Sequence, residues 1–151
     1  MTGDLDTRYP DADSSPGLAL WRVTNAWQRH IRAALAPYHL THVQYVLLAS
    51  VTWMDRTVPV TQRDLAAHAG TDVMMTSQVL RALETKGWIS RDPHPHDGRA
   101  VALTPTAAGV ALVNRATHDV EAADAAYFGT LPPEQHATFL QALHGLDARS
   151  G

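Results

Sequence analysis

Apolar residues along this chain fall into several runs at helical spacing and one pair of short β-prone segments. From Leu18 to about Ala36 the positions Leu20, Val23, Trp27, Ile31, Ala34 and Leu35 recur near 3.6 residues, with Arg22, Arg29 and Arg32 among the polar ones; this predicts a first helix ended by Pro37. Thr41 followed three residues later by Gln44 is a capping-box pattern. The run behind it, Val43, Tyr45, Val46, Leu47, Leu48, Val51 and Trp53, predicts a central core helix with several buried faces. A second capping-box pattern, Thr61 with Asp64, opens a short helix whose inward face is Leu65, Ala66 and Ala69. Gly70 can end it in the left-handed conformation, and Asp72 can cap the next helix. In that next helix Thr76, Val79, Leu80 and Leu83 share one face, which turns Val73, Met74, Met75, Ser77, Gln78 and Arg81 outward. Two helices meeting at a short, Gly-bearing turn between Thr61 and Gly87 predict a helix-turn-helix, with the outward face as the candidate reader of DNA.

The segments around this unit complete the outline. Val58-Pro59-Val60 is an extended link, confined to an edge because Pro59 has no donor. Trp88–Arg91 and Arg99–Leu103 are short and β-prone, and the seven residues between them, Asp92 to Gly98, are rich in turn formers, which predicts a hairpin with a long tip. A helix-turn-helix followed at once by a hairpin is the order of a winged helix. Thr104 and Pro105 read as the cap and first-turn proline of a long helix over about 106–128 carrying Val110, Leu112, Val113 and Val120. Pro132-Pro133 opens a last helix with the stripe Phe139, Leu140, Leu143 and Leu146. The expected class is therefore mainly α with a small β-hairpin wing: a winged helix over about 41–104, with dimerisation helices over about 18–36 and 105–148. Residues 1–16, mixing Asp, Ser, Gly and Pro, are expected to form a mobile arm, and 17–151 a single domain. A winged helix needs only about 70–80 residues, so the outer helices are expected to bury their apolar faces in a two-fold dimer.

Composition sharpens this outline in two respects. With 151 residues and 45% hydrophobic content the chain can bury a core without staples, and with no cysteine it has no disulfide, thiol chemistry or cysteine-ligated zinc. No signal-peptide pattern opens the sequence and no apolar run approaches the roughly 20 residues of a membrane span, so a cytoplasmic protein with no membrane partner is expected. The net charge of −3 argues against a generic polyanion binder, yet the acid is segregated. Residues 1–20 and 100–151 each carry −3, residues 21–54 hold three arginines and no acid, and residues 55–99 balance six bases with six acids. The proposed DNA-binding half is thus free of the acidic excess.

The run Leu83-Glu84-Thr85-Lys86-Gly87-Trp88-Ile89, then Arg91, then His96-Asp97-Gly98-Arg99-Ala100-Val101, then Leu103-Thr104 and Ala108-Gly109, resembles the wing signature of the MarR family of dimeric winged-helix transcription regulators. The similarity runs from about Leu18 to Leu146. The resemblance implies that Arg99 contacts the DNA backbone or minor groove, that Asp97 orients arginine rather than touching DNA, and that Arg91 and Asp97 are structural residues of the wing. A planar, weakly hydrated guanidinium suits a narrow groove. Ser77, Gln78 and Arg81 fall on family positions that face the major groove, where Gln can pair with adenine and Arg with guanine or phosphate. Gln78 stands where an arginine is common in the family. With Val73, Met74, Met75 and His94 these make up the expected DNA-contacting set. A plain salt bridge to Asp92 or Asp97 is the competing role for Arg99, packing the competing role for Met74 and Met75, and a solvated or phosphate-clamping position the reading for Arg81.

The same resemblance implies an effector pocket between the dimerisation helices and the winged-helix lobe, for small aromatic acids or phenols. Trp21, Arg22, His39 and His42 are the candidates for aromatic walls and for a group that holds a carboxylate, with ordinary core or solvated roles as the alternatives. His39 with His42 and His94 with His96 invite a metal reading, but the first pair flanks a helix start without an acidic neighbour and the second alternates with prolines in a turn, so no metal and no other cofactor is expected. No phosphate loop, nucleophile elbow or carboxylate pair suggests an enzyme. A sequence-specific, ligand-responsive repressor acting as a homodimer on a pseudo-palindromic duplex is the expected function; the alternative is a winged-helix ligand-binding or protein-interaction module that does not bind DNA.

Overall fold

The computed structural model describes residues 3–148. Residues 1–2 of the expected arm and 149–151 of the expected domain lie outside the described residues. Helix α1 spans Pro16–Leu35, two residues longer at its start than the hydrophobic pattern alone predicts. The reason is local: the Ser15 hydroxyl accepts from the Leu18 N–H and Pro16 occupies the first turn, where its missing donor costs nothing. The preceding arm has order of its own, with Asp11 capping a single 3-10 turn at Ala12–Ser14 and Asp13 pairing with Arg22 of α1 at 3.0 Å. After Leu35 a 3-10 turn over Ala36–Tyr38 holds Pro37, and His39 reverses the chain with a left-handed φ of 55°.

Helix α2 (His42–Trp53) begins with both halves of the capping box, Thr41 Oγ1 accepting from Gln44 and Gln44 Oε1 accepting from Thr41. Leu47, Leu48 and Val51 are fully buried at the centre of the core. Trp53 is not part of that core. It is 86% exposed, because it lies about 140° around the helix axis from Leu48 and at the last residue, beyond the elements that cover the inner face. Val60 bridges Leu103, its carbonyl accepting at 2.8 Å, so the extended link contributes one pairing to the sheet edge.

Helices α3 (Gln62–Ala69) and α4 (Val73–Thr85) form the helix-turn-helix. Thr61 and Asp64 make the full capping box, Gly70 takes φ 68°, and the Asp72 carboxylate accepts from the Met75 N–H. Thr76, Leu80 and Leu83 of α4 are fully buried. The Thr76 hydroxyl is satisfied inside, donating to the Asp72 carbonyl and meeting Thr71 Oγ1, each at 2.7 Å, which locks the turn to the first coil of α4.

The wing is an antiparallel pair, β1 (Ile89–Pro93) and β2 (Val101–Pro105), in the register Ile89 opposite Pro105 and Arg91 opposite Leu103. Thr104 and Pro105 do not start the next helix, contrary to expectation. A residue before proline is pushed towards extended backbone, so Thr104 stays in the strand and Pro105 ends it. The cap falls two residues later on Thr106, whose hydroxyl accepts from Gly109 N and donates to the Gly87 carbonyl. Helix α5 (Ala107–Phe128) packs back along α1, joined by a 2.7 Å hydrogen bond from Trp27 Nε1 to Asp124 and another from the Tyr127 hydroxyl to the Val23 carbonyl. Helix α6 (Pro133–Asp147) has no buried residue; its Phe139 ring rests on Phe128 at 5.9 Å, while Leu140 and Leu146 face outward.

Candidate nucleic-acid interface

The reading face of α4 starts at its N-terminus. Val73, Met74 and Met75 are 49%, 77% and 41% exposed, Gln78 and Arg81 are exposed one and two turns on, and Ser77 is half-buried beside them. Met74, Gln78 and Arg81 point away from the core as the periodicity predicts, Met75 and Ser77 lie on the flanks, and Val73, on the same stripe as Thr76 and Leu80, is exposed because it is the first residue of the helix. The helix start is set by Asp72, so the positive end of the helix dipole lies beside Val73, Met74 and Met75.

Beside it lies a groove of about 500 Å³ between the α3 start, the α4 start and the wing. Val73 lines it from α4, and Arg91, Asp97 and Arg99 line it from the wing. Gln62 and Arg63 of α3 also line it; no sequence motif marks either, Arg63 being one charge within a balanced segment. Gln62 has a structural task as well, its Nε2 donating to the Val73 carbonyl at 3.1 Å and so tying α3 to the first turn of the reading helix. Three guanidinium groups thus border a concave surface at the helix-turn-helix, an arrangement suited to phosphate oxygens.

The wing tip is organised by Asp97. Its carboxylate accepts from the backbone N–H of Arg99 at 3.0 Å and its carbonyl accepts from Ala100, a tight turn that leaves the Arg99 guanidinium outside any ion pair among the described residues. His94 closes the base of the tip, its N–H donating to the Ala100 carbonyl and its Nδ1 accepting from His96. The hydrogen bonds from the Thr61 N–H and hydroxyl hold the Asp64 carboxyl below its usual range, with His94 a further favourable charge nearby. A carboxyl depressed in the folded state contributes stability at neutral pH that fades as pH falls through its lowered value.

The four expected effector residues separate in space. His42 lines a cleft of about 330 Å³ formed with Trp27, Gln28 and Arg32 of α1, Val43 and Val46 of α2, and Ala69 and Thr71 at the helix-turn-helix. Trp21 is 68% exposed on α1, Arg22 is engaged with Asp13, and His39 stands at the elbow, where its carbonyl accepts from Lys86. None of those three borders the cleft. Trp27 and Arg32 line it instead. The Trp27 ring meets His42 edge-on at 5.1 Å, and burial first, then the Arg32 charge, push the His42 imidazole below its ordinary pKa against the opposing pull of Asp124. At neutral pH His42 is therefore a neutral hydrogen-bonding group, and Arg32 carries the charge.

A recognition helix, a wing and a basic groove between them define a DNA-binding transcription regulator of the winged helix-turn-helix class. The chain belongs to the MarR family, whose family model matches residues 40–101. It is 40% identical to the uncharacterised HTH-type transcriptional regulator YdcH of Bacillus subtilis over 93% of this chain and 95% of that protein. The HTH-type transcriptional repressor Rv2887 of Mycobacterium tuberculosis is 34% identical over 89% of this chain and 96% of its own. The crystal structure of Rv2887 with salicylic acid superimposes with a TM-score of 0.67 at 33% identity, over 91% of this chain and 98% of that one. CouR of Rhodococcus jostii RHA1, solved with p-coumaroyl-CoA, reaches a TM-score of 0.81 at 25% identity, over 92% and 96% of the two chains.

Proposed function

We propose that this protein is a homodimeric, ligand-responsive repressor of the cytoplasm, not an enzyme, that occludes a promoter by placing two α4 helices in successive major grooves of a pseudo-palindromic duplex with each wing alongside. The observation that carries this reading is the groove between the exposed start of α4 and the three arginines Arg63, Arg91 and Arg99. Dimerisation is supported by α6. A helix of 15 residues with no buried side chain gains little from its own chain, and next to its Phe139 lies an aromatic hollow of about 660 Å³ lined by Val23, Tyr127 and Phe128. A second copy would cover both. No helix among the described residues is long and apolar enough to cross a membrane.

Selection of bound duplexes from a random pool tests the reading directly, and a well-folded dimer that enriches no motif at modest salt would sink it in favour of a module that does not bind DNA. On the selected duplex, Gln78→Ala is expected to relax preference at one position per half-site, at a cost of about 1–3 kcal/mol per lost bidentate base contact. Arg81→Ala is expected instead to weaken all sequences alike, as loss of a phosphate contact does. Competition binding against single-base variants of the duplex separates the two.

The effector site we assign is the cleft of Trp27, Arg32 and His42 between α1, α2 and the helix-turn-helix. The salicylic acid bound by Rv2887 fits its chemistry, a carboxylate for Arg32 and a ring for Trp27. A ligand wedged there shifts the dimer towards a spacing of recognition helices that does not match half-sites one turn apart, provided it binds that state more tightly. Salicylic acid is expected to release the duplex from wild type, and Arg32→Ala to need at least about tenfold more of it, since a charge-assisted bond of about 1.5 kcal/mol is lost. Equal sensitivity of the two proteins would place the effector elsewhere.

A further inference from the structure

The sulfur atoms of this chain are few and unevenly placed. There is no cysteine, and of the four methionines Met1 lies outside the described residues and Met54 packs against the core. The other two, Met74 and Met75, sit side by side in the first turn of α4, 77% and 41% exposed. The fully buried set Thr76, Leu80 and Leu83 lies opposite Met74, with Met75 on the flank between the two faces. Chemistry at the two thioethers therefore reaches the reading face while the buried stripe that holds the helix in place contains neither sulfur.

Building on the proposed DNA contact of α4, we infer that Met74 and Met75 form a reversible oxidation site through which peroxides and related two-electron oxidants weaken DNA binding. A methionine sulfur attacks the terminal oxygen of a hydroperoxide, the S–O bond forms as the O–O bond breaks, and the proton of that oxygen passes to the departing alkoxide. Sulfur loses two electrons, the peroxide gains them, and the products are a sulfoxide and an alcohol, or water where hydrogen peroxide is the oxidant. The reaction needs an accessible sulfur lone pair and nothing else from the protein; Met74 and Met75 are exposed, whereas Met54 is half-buried against the core and reacts more slowly.

The effect on binding follows from polarity. A thioether against a thymine methyl or a base edge is an apolar contact that leaves no group unsatisfied. A sulfoxide adds a strong acceptor oxygen at the same place, on a surface of acceptors such as guanine O6, purine N7 and phosphate, where most neighbours cannot donate to it. Because the change is confined to the first turn, helix content and core are retained. Thiol-dependent sulfoxide reductases, one for each sulfoxide epimer, restore the original contact.

The test uses the full chain, hydrogen peroxide, and the duplex selected by the untreated protein. Treated wild type should gain oxygen at Met74 and Met75 in peptide mass spectra, keep its thermal transition, and bind the duplex about tenfold more weakly, which corresponds to roughly 1.4 kcal/mol. Both reductase types together should restore binding. The M74L/M75L variant, whatever its own affinity, should show a treated-to-untreated ratio near one, while M54L should remain as sensitive as wild type. Unchanged affinity of a protein carrying both sulfoxides, or loss of binding by treated M74L/M75L comparable to wild type, would overturn the inference. Failure of the untreated protein to bind any duplex would overturn this inference together with the DNA reading beneath it, whereas a fault in the oxidation step alone appears only after treatment.

Discussion

Gly109→Ala is expected to destabilise the fold by about 3 kcal/mol, at the upper end of what overpacking of a well-filled site costs. Gly109 is in the first turn of α5, and a Cβ there would stand 2.0 Å from the carbonyl oxygen of Trp88 and 2.9 Å from its carbon. Neither atom belongs to a flexible side chain that can move aside. The same carbonyl accepts from the Thr106 N–H at 3.0 Å, and Thr106 caps α5 through Gly109 N, so the first turn of α5 and the start of β1 are fastened at one point. An added methyl must push the strand away from the helix and break that fastening. Urea denaturation should show a lower midpoint with an unchanged slope. The displaced strand carries Arg91 into the groove, so the variant should also bind DNA more weakly at temperatures where it is still folded. A denaturation curve that overlays wild type would show that the approach of α5 to Trp88 is not as close as described.

Arg99→Ala is expected to weaken operator binding on the order of a hundredfold, since each of two wings loses one charged contact of about 1.5 kcal/mol. The salt dependence should become shallower by about 2 in the slope of log affinity against log salt, one lost phosphate neutralisation per wing, while sequence preference stays as it was. The geometry supports a residue spent on DNA and not on the wing itself. Asp97 satisfies the backbone of Arg99 and leaves its guanidinium unpaired among the described residues, so no internal ion pair has to break when phosphate arrives. Arg99→Lys should recover most of the salt slope but only part of the affinity, because an ammonium lacks the planar fork of donors. Titrations at several salt concentrations measure both quantities. Unchanged affinity and slope in Arg99→Ala would remove the wing from the interface and return the residue to the role of surface charge.

How much of this was legible beforehand differs sharply between the two surfaces. The outward direction of Met74, Gln78 and Arg81 could be read from spacing alone, since burial of Thr76, Leu80 and Leu83 fixes it on the same rigid helix, whereas Val73 shares the buried stripe and is exposed only because it opens the helix. The groove beside it was half legible. Arg91, Asp97 and Arg99 stood out through the resemblance of their motif, but Arg63 joins them only because the α3 start turns towards the wing. The cleft proposed for the effector was barely legible. Of its lining residues His42 alone was a candidate, and Trp27 and Arg32 looked like any other members of an amphipathic helix.

What the sequence determined by itself was the set of features whose partners lie within a few residues: both capping boxes, the left-handed Gly70, the Asp72 cap and the phase of each helix. These are decided by backbone donors and short polar side chains that meet whatever the rest of the chain does. Even here a neighbour can intervene, as Pro105 did by keeping Thr104 extended and moving the α5 cap to Thr106. Tertiary structure decided everything that joins distant segments. The Trp27 bond to Asp124 spans 97 residues, Trp53 is exposed on the side of α2 away from the buried Leu47, Leu48 and Val51, and glycine is demanded at position 109 by a carbonyl 21 residues earlier. No periodicity encodes such meetings, because they depend on how helices cross and where strands end, and those follow from the packing of the whole core.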